Sequence, residues 1–383
     1  MKAERVGAGE KSFEGAAKYE VGVVNRGHVC DDAFVRVGHA VPSIDTRAPL
    51  GALRPVMKAI TYSNYGPPAV LTLADVPAPV PGEDEVLIRV RAVEATKSDC
   101  EMRSFHFAVK WFWLPLRLSL GVTKPLRAIL GGYFAGEIAA VGGAVRELTP
   151  GDQVFGCAGL RLGAYAEYMT LPARATIARK PNNMSFAEAA AVPLGGLNAL
   201  HFMRRAKIRA GETVLINGAG GSIGAHAIQI AKAMGAEVTA VDAPHKRDLV
   251  RLGADHFIDY TREDFSKLGK TWDVIFDMVA NSSYDACIKA LRPNGRYLSG
   301  NPRLAVMLRS VVTNQLSDKT ATFAFAEESR ADLEALRELI ERRELKSIVD
   351  TVYPLSAAAT AHERVEHEQR VGAIVLTLDD PQG

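Results

Sequence analysis

The stretch "TVLINGAGGSIGAHAIQIAKAMGAEVTAVD", residues 213–242, sets a glycine-rich turn between an apolar run and a helical one. Ordering glycine costs more backbone entropy than ordering any other residue, so such a turn needs bare backbone. "TVLIN" reads as a buried parallel strand, and "IGAHAIQIAKAMG" has the period of an amphipathic helix. Gly218, Gly221 and Gly224 are thus spaced by three where a strand turns into a helix, a variant of the dinucleotide fingerprint. The first permits the turn, the second admits a pyrophosphate to the backbone, and the third lets helix pack on strand. The free N–H groups and positive end of the helix hold the diphosphate. Gly218, Ala219, Gly220, Gly221, Ser222, Ile223 and Gly224 are therefore the expected cofactor cradle, with a purely structural turn as the bland alternative.

Asp242 ends the second strand, 18 residues beyond Gly224, where an acid accepts both ribose hydroxyls of the adenosine. An acid there repels a 2′-phosphate, so the reading leans to NAD over NADP. His245, Lys246 and Arg247 follow closely. They either clasp that phosphate, favouring NADP, or form a solvated helix start.

From Thr213 to about Ser299 strands alternate with helices: "TVLIN", "EVTAVD", "DHFIDY", "WDVIFDMV" and "GRYLSG", with helical segments such as "KRDLVRLG" and "YDACIKALR" between them. That alternation predicts right-handed βαβ units and a doubly wound parallel sheet. Residues 57–180 read instead as short strands and turns, a β-rich domain forming a partly closed barrel. A charged helix, "SRADLEALRELIERRE", precedes two late segments, "IVDTVYPLS" and "GAIVLTL", expected to return to that first domain. The expected division is a leader over 1–56, the β-rich domain over 57–180, the nucleotide-binding domain over 181–314, and the return over 315–383. The leader is read as loosely ordered, the alternative being an extra strand or two on the domain.

The 383 residues carry 46 basic against 44 acidic side chains, a formal net charge of +2, which supplies no basic excess for a nucleic-acid partner. Cys30, Cys100, Cys157 and Cys287 are far apart and form no CxxC pair, so neither a disulfide framework nor a zinc knuckle is expected, and the reading is a cytoplasmic protein. No stretch reaches the roughly 18 uninterrupted apolar residues of a membrane span.

The sequence resembles the medium-chain dehydrogenase/reductase superfamily, within it the zinc-independent quinone oxidoreductase-like branch. The stretches that carry the resemblance include "MKAITYSNYGPP", "ILGGYFAGEIAAVG", "PGDQVFG", "GAYAEYMTLP", "NNMSFAEAAAVPLGGLNAL", the glycine turn itself, "LGADHFIDYTREDF" and "VGAIVLTL", and the leader falls outside it. The resemblance implies an α/β protein: a Rossmann domain, the doubly wound sheet, joined to a GroES-like catalytic domain split in sequence. It also implies a homodimer formed through the edges of two Rossmann sheets, here near "GRYLSGN". Zinc-bearing relatives place metal ligands where this chain has Thr96, Gly132 with Tyr133, and Leu194. A zinc Lewis acid needs about three protein ligands, so no metal is expected.

The implied reaction is hydride transfer from NAD(P)H to a quinone, enone or related carbonyl. Negative charge grows on the substrate oxygen, which a hydrogen-bond donor stabilises. The candidates for that role are Thr96, Lys97, Tyr133 and Asn198; core packing or surface charge are the alternative roles of Tyr133 and Lys97. Tyr260 and Val279 join Asp242 and Lys246 on the cofactor side. Tyr65, Phe105, Trp111 and Trp113 are the expected substrate contacts, because "FHFAVKWFWLPL" packs five aromatic residues into twelve positions, a density suited to a planar apolar substrate. The same segment fits equally a helix packed on the domain or across a dimer contact. Several positions depart from the family: Ser222 replaces a glycine, Ala280 follows Val279 where relatives have glycine, and Ala373 stands where a lysine is usual. Two other functions stay open, a metal-free alcohol or aldehyde dehydrogenase and a dinucleotide-binding protein with little turnover.

Overall fold

The computed structural model describes residues 55–107, 113–279, 282–300, 303–324 and 326–378. The chain divides into two units, Met1–Pro49 and Leu50–Gly383, and the described residues all lie in the second. The expected leader thus falls outside the described residues except at Pro55 and Val56, and Trp111 and Ala280 fall outside them too.

The β-rich part begins with the antiparallel pair β1 (Val56–Thr61) and β2 (Thr72–Pro77). β3 (Glu85–Ala95) follows, then helices α1 (Lys97–Ser104) and α2 (Trp113–Leu120), then β4 (Tyr133–Val141), β5 (Gln153–Cys157), β6 (Tyr168–Pro172) and β7 (Ile177–Arg179). β3 is the spine, antiparallel to β4 and to β6. Val86–Ile88 and Ala92–Ala95 are buried on both faces, with Arg89 exposed and Arg91 half-buried between them. Helices α3 (Phe186–Ala190) and α4 (Pro193–Ala206) lead into the second domain; proline at the first position of α4 costs nothing, because its missing N–H has no partner in that turn.

There β8 (Thr213–Asn217), α5 (Ser222–Ala233), β9 (Glu237–Asp242), β10 (His256–Asp259), β11 (Trp272–Asp277), α6 (Tyr284–Lys289), β12 (Leu291–Ser299), α7 (Leu304–Leu316) and β13 (Thr320–Phe323) build the predicted sheet. Its six strands run in the order β10-β9-β8-β11-β12-β13, and all pairs are parallel. Four of the five β8 residues are fully buried, as a strand with helices over both faces requires. Two expectations shift. The segment Pro244–Leu252, expected as an α-helix, forms 3₁₀ turns, its Lys246 N–H closing on the Ala243 carbonyl. The sheet also runs past residue 314, because β12 leaves an open edge that β13 fills.

After α8 (Arg330–Glu341), β14 (Val349–Pro354), α9 (Ala358–Glu366) and β15 (Ala373–Thr377) return to the β-rich domain. β15 pairs antiparallel with β3 and carries β14 on its other side. One apolar core is continuous through both domains, joining Ala92, Phe155 and Cys157 to Val192, Ala219 and Ala225. That shared core fixes the end of β3 against the glycine turn.

Candidate active site

The glycine turn has the geometry its sequence predicts. Gly218 sits at φ +85°, a region that side chains disfavour. A Cβ on Gly224 would stand 2.4 Å from the Gly218 carbonyl oxygen, so only glycine lets α5 pack this closely on the turn. A Cβ on Gly221 would meet nothing nearer than 3.9 Å, which leaves the space over the turn open. No side chain caps α5, so its first N–H groups are available to an anion. The turn therefore fits a dinucleotide diphosphate. Ala219 and Ser222 are buried, Ile223 packs on the shared core, and the Val279 side chain lies against Gly218.

Asp242 is placed differently from the expectation. It ends β9 as predicted, but its carboxylate turns inward. Oδ2 accepts from Gly220 N at 2.6 Å, Oδ1 accepts from Ala243 N at 2.8 Å, and Lys246 Nζ lies 3.2 Å from Oδ1. Both side chains are only 7% exposed. The acid is thus a brace for the turn, because unpaired backbone N–H groups there would be costly to bury. The basic trio splits: Lys246 is buried in this pair, whereas His245 and Arg247 are exposed, as is Tyr260.

The four candidate donors are not gathered around one point. Thr96 is buried, and both functions of its hydroxyl are used: Oγ1 donates to Asp99 Oδ2 at 2.6 Å and accepts from Asp99 N at 3.0 Å. It is the cap of α1 rather than a free donor. Lys97 reaches out to Glu368 at 2.7 Å as an exposed ion pair. Asn198 donates back to the Leu194 carbonyl at 2.9 Å within α4. Tyr133 alone combines a hydroxyl with a place beside the shared core. It donates to Glu328 Oε1 at 2.8 Å, and burial with the nearby Glu328 keeps its hydroxyl protonated well above the ordinary tyrosine range.

The aromatic cluster is real but has a cation at its centre. The Arg117 guanidinium stands 3.9 Å over Phe105, 4.8 Å over Tyr65 and 5.8 Å over Trp113. Tyr65 donates to the Leu120 and Gly121 carbonyls, so these rings clamp α2 onto the domain. Behind them Arg103, fully buried, donates to the Gly66 carbonyl, to Glu366 and to His362 Nδ1 at 3.2 Å. His362 therefore carries its proton on Nε2, which donates to Tyr165 Oη at 3.0 Å.

Sequence reasoning missed Asp99, Glu328, Arg117 and two further groups, Glu94 and Arg370, that lie close to the turn. Only Glu94 left a signal, as an acid in the doubly apolar end of β3. At the zinc positions Thr96 is spent on Asp99, Tyr133 is a protonated phenol bonded to Glu328, and Gly132 and Leu194 offer no side-chain donor. Among the described residues no three His, Cys, Asp or Glu side chains gather as a metal site. The donor set does not fit zinc.

Comparison with known proteins agrees with this architecture. Residues 82–182 match the alcohol dehydrogenase GroES-like domain, and residues 252–376 match a family described as zinc-binding dehydrogenase. The chain is 32% identical over 335 residues to the chloroplastic NADPH-dependent alkenal/one oxidoreductase of Arabidopsis thaliana, covering 84% of this chain and 79% of that protein. It is 31% identical over 339 residues to a quinone oxidoreductase of Pseudomonas aeruginosa, covering 83% and 99%. The solved quinone oxidoreductase of Coxiella burnetii superposes with a TM-score of 0.74 at 30% identity, over 85% of this chain and all of that one. With both domain families matched in order around an uncapped glycine turn, the chain belongs to the medium-chain dehydrogenase/reductase superfamily, in its quinone oxidoreductase-like branch.

Proposed function

We propose that this protein is an NAD(P)H-dependent oxidoreductase that reduces a quinone, an enone or a related conjugated carbonyl without a metal ion. The open, uncapped glycine turn carries the reading, and the names of the relatives support the substrate class. A reduced nicotinamide bound there supplies the hydride. The substrate also needs one proton, taken up from water, and a donor to stabilise the negative charge growing on its oxygen. Tyr133 is that donor. Its hydroxyl stays neutral across the physiological range and exchanges its hydrogen bond from Glu328 to the substrate oxygen.

The inward turn of Asp242 reverses the lean toward NAD. Its charge is matched by Lys246 and by two N–H groups, so it does not repel a 2′-phosphate as a free acid would, while exposed His245 and Arg247 stand beyond it. NADPH is the favoured donor. We also infer a homodimer, with the contact moved from "GRYLSGN": β12 is paired on both sides, leaving β13 as the edge beside an exposed apolar row on α7 formed by Leu304, Leu308, Val312 and Leu316. No helix among the described residues is long and apolar enough to cross a membrane.

The reading is tested by fluorescence titration with NADH and NADPH, followed by addition of 9,10-phenanthrenequinone or an alkyl vinyl ketone while the absorbance of reduced nicotinamide is recorded. The expected result is oxidation unaffected by a chelator, with Tyr133→Phe slowing turnover about 10²-fold or more. Tight NADPH binding with no oxidation by any such acceptor would refute the reading.

A further inference from the structure

Glu94 is the largest departure from ordinary burial rules among the described residues. It lies one residue from the end of β3, opposite Val375 of β15, and is 0% exposed. Neither carboxyl oxygen has a hydrogen-bond partner. A buried polar group left in this state costs free energy.

The first residue of α5, Ser222, lies beside Glu94, its buried hydroxyl at the edge of hydrogen-bond reach of that carboxyl and without another partner. Arg370 is also beside it, 8% exposed, with Nε unpaired. Arg370 belongs to the segment that touches the glycine turn: Gly372 N donates to the Gly220 carbonyl at 2.9 Å, and Gly372 bridges Gly221. Three buried polar groups from three distant parts of the chain, of which Arg370 also reaches Glu368 at 3.9 Å, thus converge behind the surface where an anion is expected. Burial pushes the Glu94 carboxyl up to about 8, Arg370 and Ser222 pull it down, and Asp99 adds to the rise. The positive potential on which an ionised Glu94 depends is the same potential that a diphosphate would occupy.

We propose that Glu94 is a positioning residue of the dinucleotide site: it takes up a proton from solvent as the diphosphate settles on α5, and this releases Arg370 and Ser222 to hold the anion. The inference rests on the function proposed above. Only a proton moves; a carboxylate becomes a carboxylic acid and no other bond changes. With the acid neutral, the first turn of α5 and the Arg370 guanidinium face the diphosphate without a competing charge. With it ionised, a carboxylate sits directly behind the phosphate site and repels it.

The other groups that face Glu94 do not titrate in the same window. On α1, Asp99 is raised only to about 6. On α5, buried His226 is lowered below its ordinary 6.5. On β4 and β5, and just before β6, burial puts Tyr133, Cys157 and Tyr165 well above their ordinary values. Glu368, beside Arg370, is lowered. A dianionic group brought to within about 10 Å in a medium of effective dielectric about 20 raises the pKa of such an acid by about one or more.

The experiment measures binding rather than turnover. Calorimetry of NADH and of NADPH binding in buffers of different ionisation enthalpy gives the protons taken up, and the 2′-phosphate of NADPH, with its pKa of about 6, is silent above about pH 7.5. The expected uptake is about 0.4 proton per site near pH 8, and Kd weakens about sixfold between about pH 7.5 and 9.5 for a pKa change of one. Glu94→Gln, a neutral isostere, should lose both the uptake and the pH dependence while keeping the tight Kd of the low-pH protein. Zero uptake by the wild-type protein at pH 8, or the same pH profile in wild type and Glu94→Gln, overturns the proposal, and the wild-type arm requires no variant to fold. Failure to bind either dinucleotide at any pH overturns the proposed function along with it; binding without uptake overturns this inference alone.

Discussion

Replacing Asp242 with serine separates two roles that one carboxylate cannot hold together. If Asp242 faces the adenosine ribose, the change alters cofactor preference and little else. The structure gives the carboxylate two backbone N–H groups, at 2.6 and 2.8 Å, and a lysine at 3.2 Å, with both charged side chains only 7% exposed. Serine reaches one of these partners and leaves Lys246 as a buried cation without a counter-charge. Breaking a buried pair by removing one partner costs about 3–5 kcal/mol. At about 2 °C per kcal/mol that lowers Tm by about 6–10 °C. Because Gly220 loses its brace, Kd should weaken for NADH and NADPH alike, with their ratio unchanged to within about threefold, or 0.65 kcal/mol. Removing both charges in Asp242→Asn/Lys246→Gln should recover most of the lost Tm, since no unpaired ion remains. Thermal unfolding followed by circular dichroism, with fluorescence titration of both dinucleotides, reads all of this. A tenfold or larger shift of the ratio toward NADPH with Tm unchanged would refute the reasoning and return Asp242 to the ribose.

Burial and the Arg103 guanidinium push His362 down to about 3, so the fold holds it neutral below its ordinary value of 6.5. The folded state binds fewer protons than the unfolded chain in that interval, so this contribution to stability is complete above about pH 6.5 and falls as pH drops, by about 2 kcal/mol at pH 5; urea unfolding should show the loss in wild type and its absence in His362→Gln. The apolar row on α7 should be the dimer contact, so Leu308→Glu with Val312→Glu should give a folded monomer by light scattering, and an unchanged oligomer would place the contact elsewhere.

The parts of this protein legible in the sequence are those that neighbouring residues decide. The glycine spacing, the alternation of strands with helices, the return of "GAIVLTL" to β3 and the want of zinc donors at Thr96, Gly132 and Leu194 all follow from local period, turn chemistry and residue type. Those constraints act within a few residues, and packing could satisfy them in only a few ways. Side-chain direction was decided elsewhere. Asp242 ends its strand as expected, yet its carboxylate turns to Gly220, 22 residues away in the chain. Thr96 is a candidate donor on the resemblance, yet its hydroxyl closes a helix cap with Asp99.

Arg117 and Glu94 show the same division. Arg117 is one charge in an aromatic segment until Tyr65 and Phe105 fold around it. Glu94 can be marked as an odd acid in an apolar strand, but its neighbours come from α5 and from the segment before β15, more than a hundred residues beyond it in sequence. A sequence fixes where the backbone must turn, because turning is a local act. Which polar groups end up sharing a buried space depends on the register and docking of distant elements, and only the folded chain determines that.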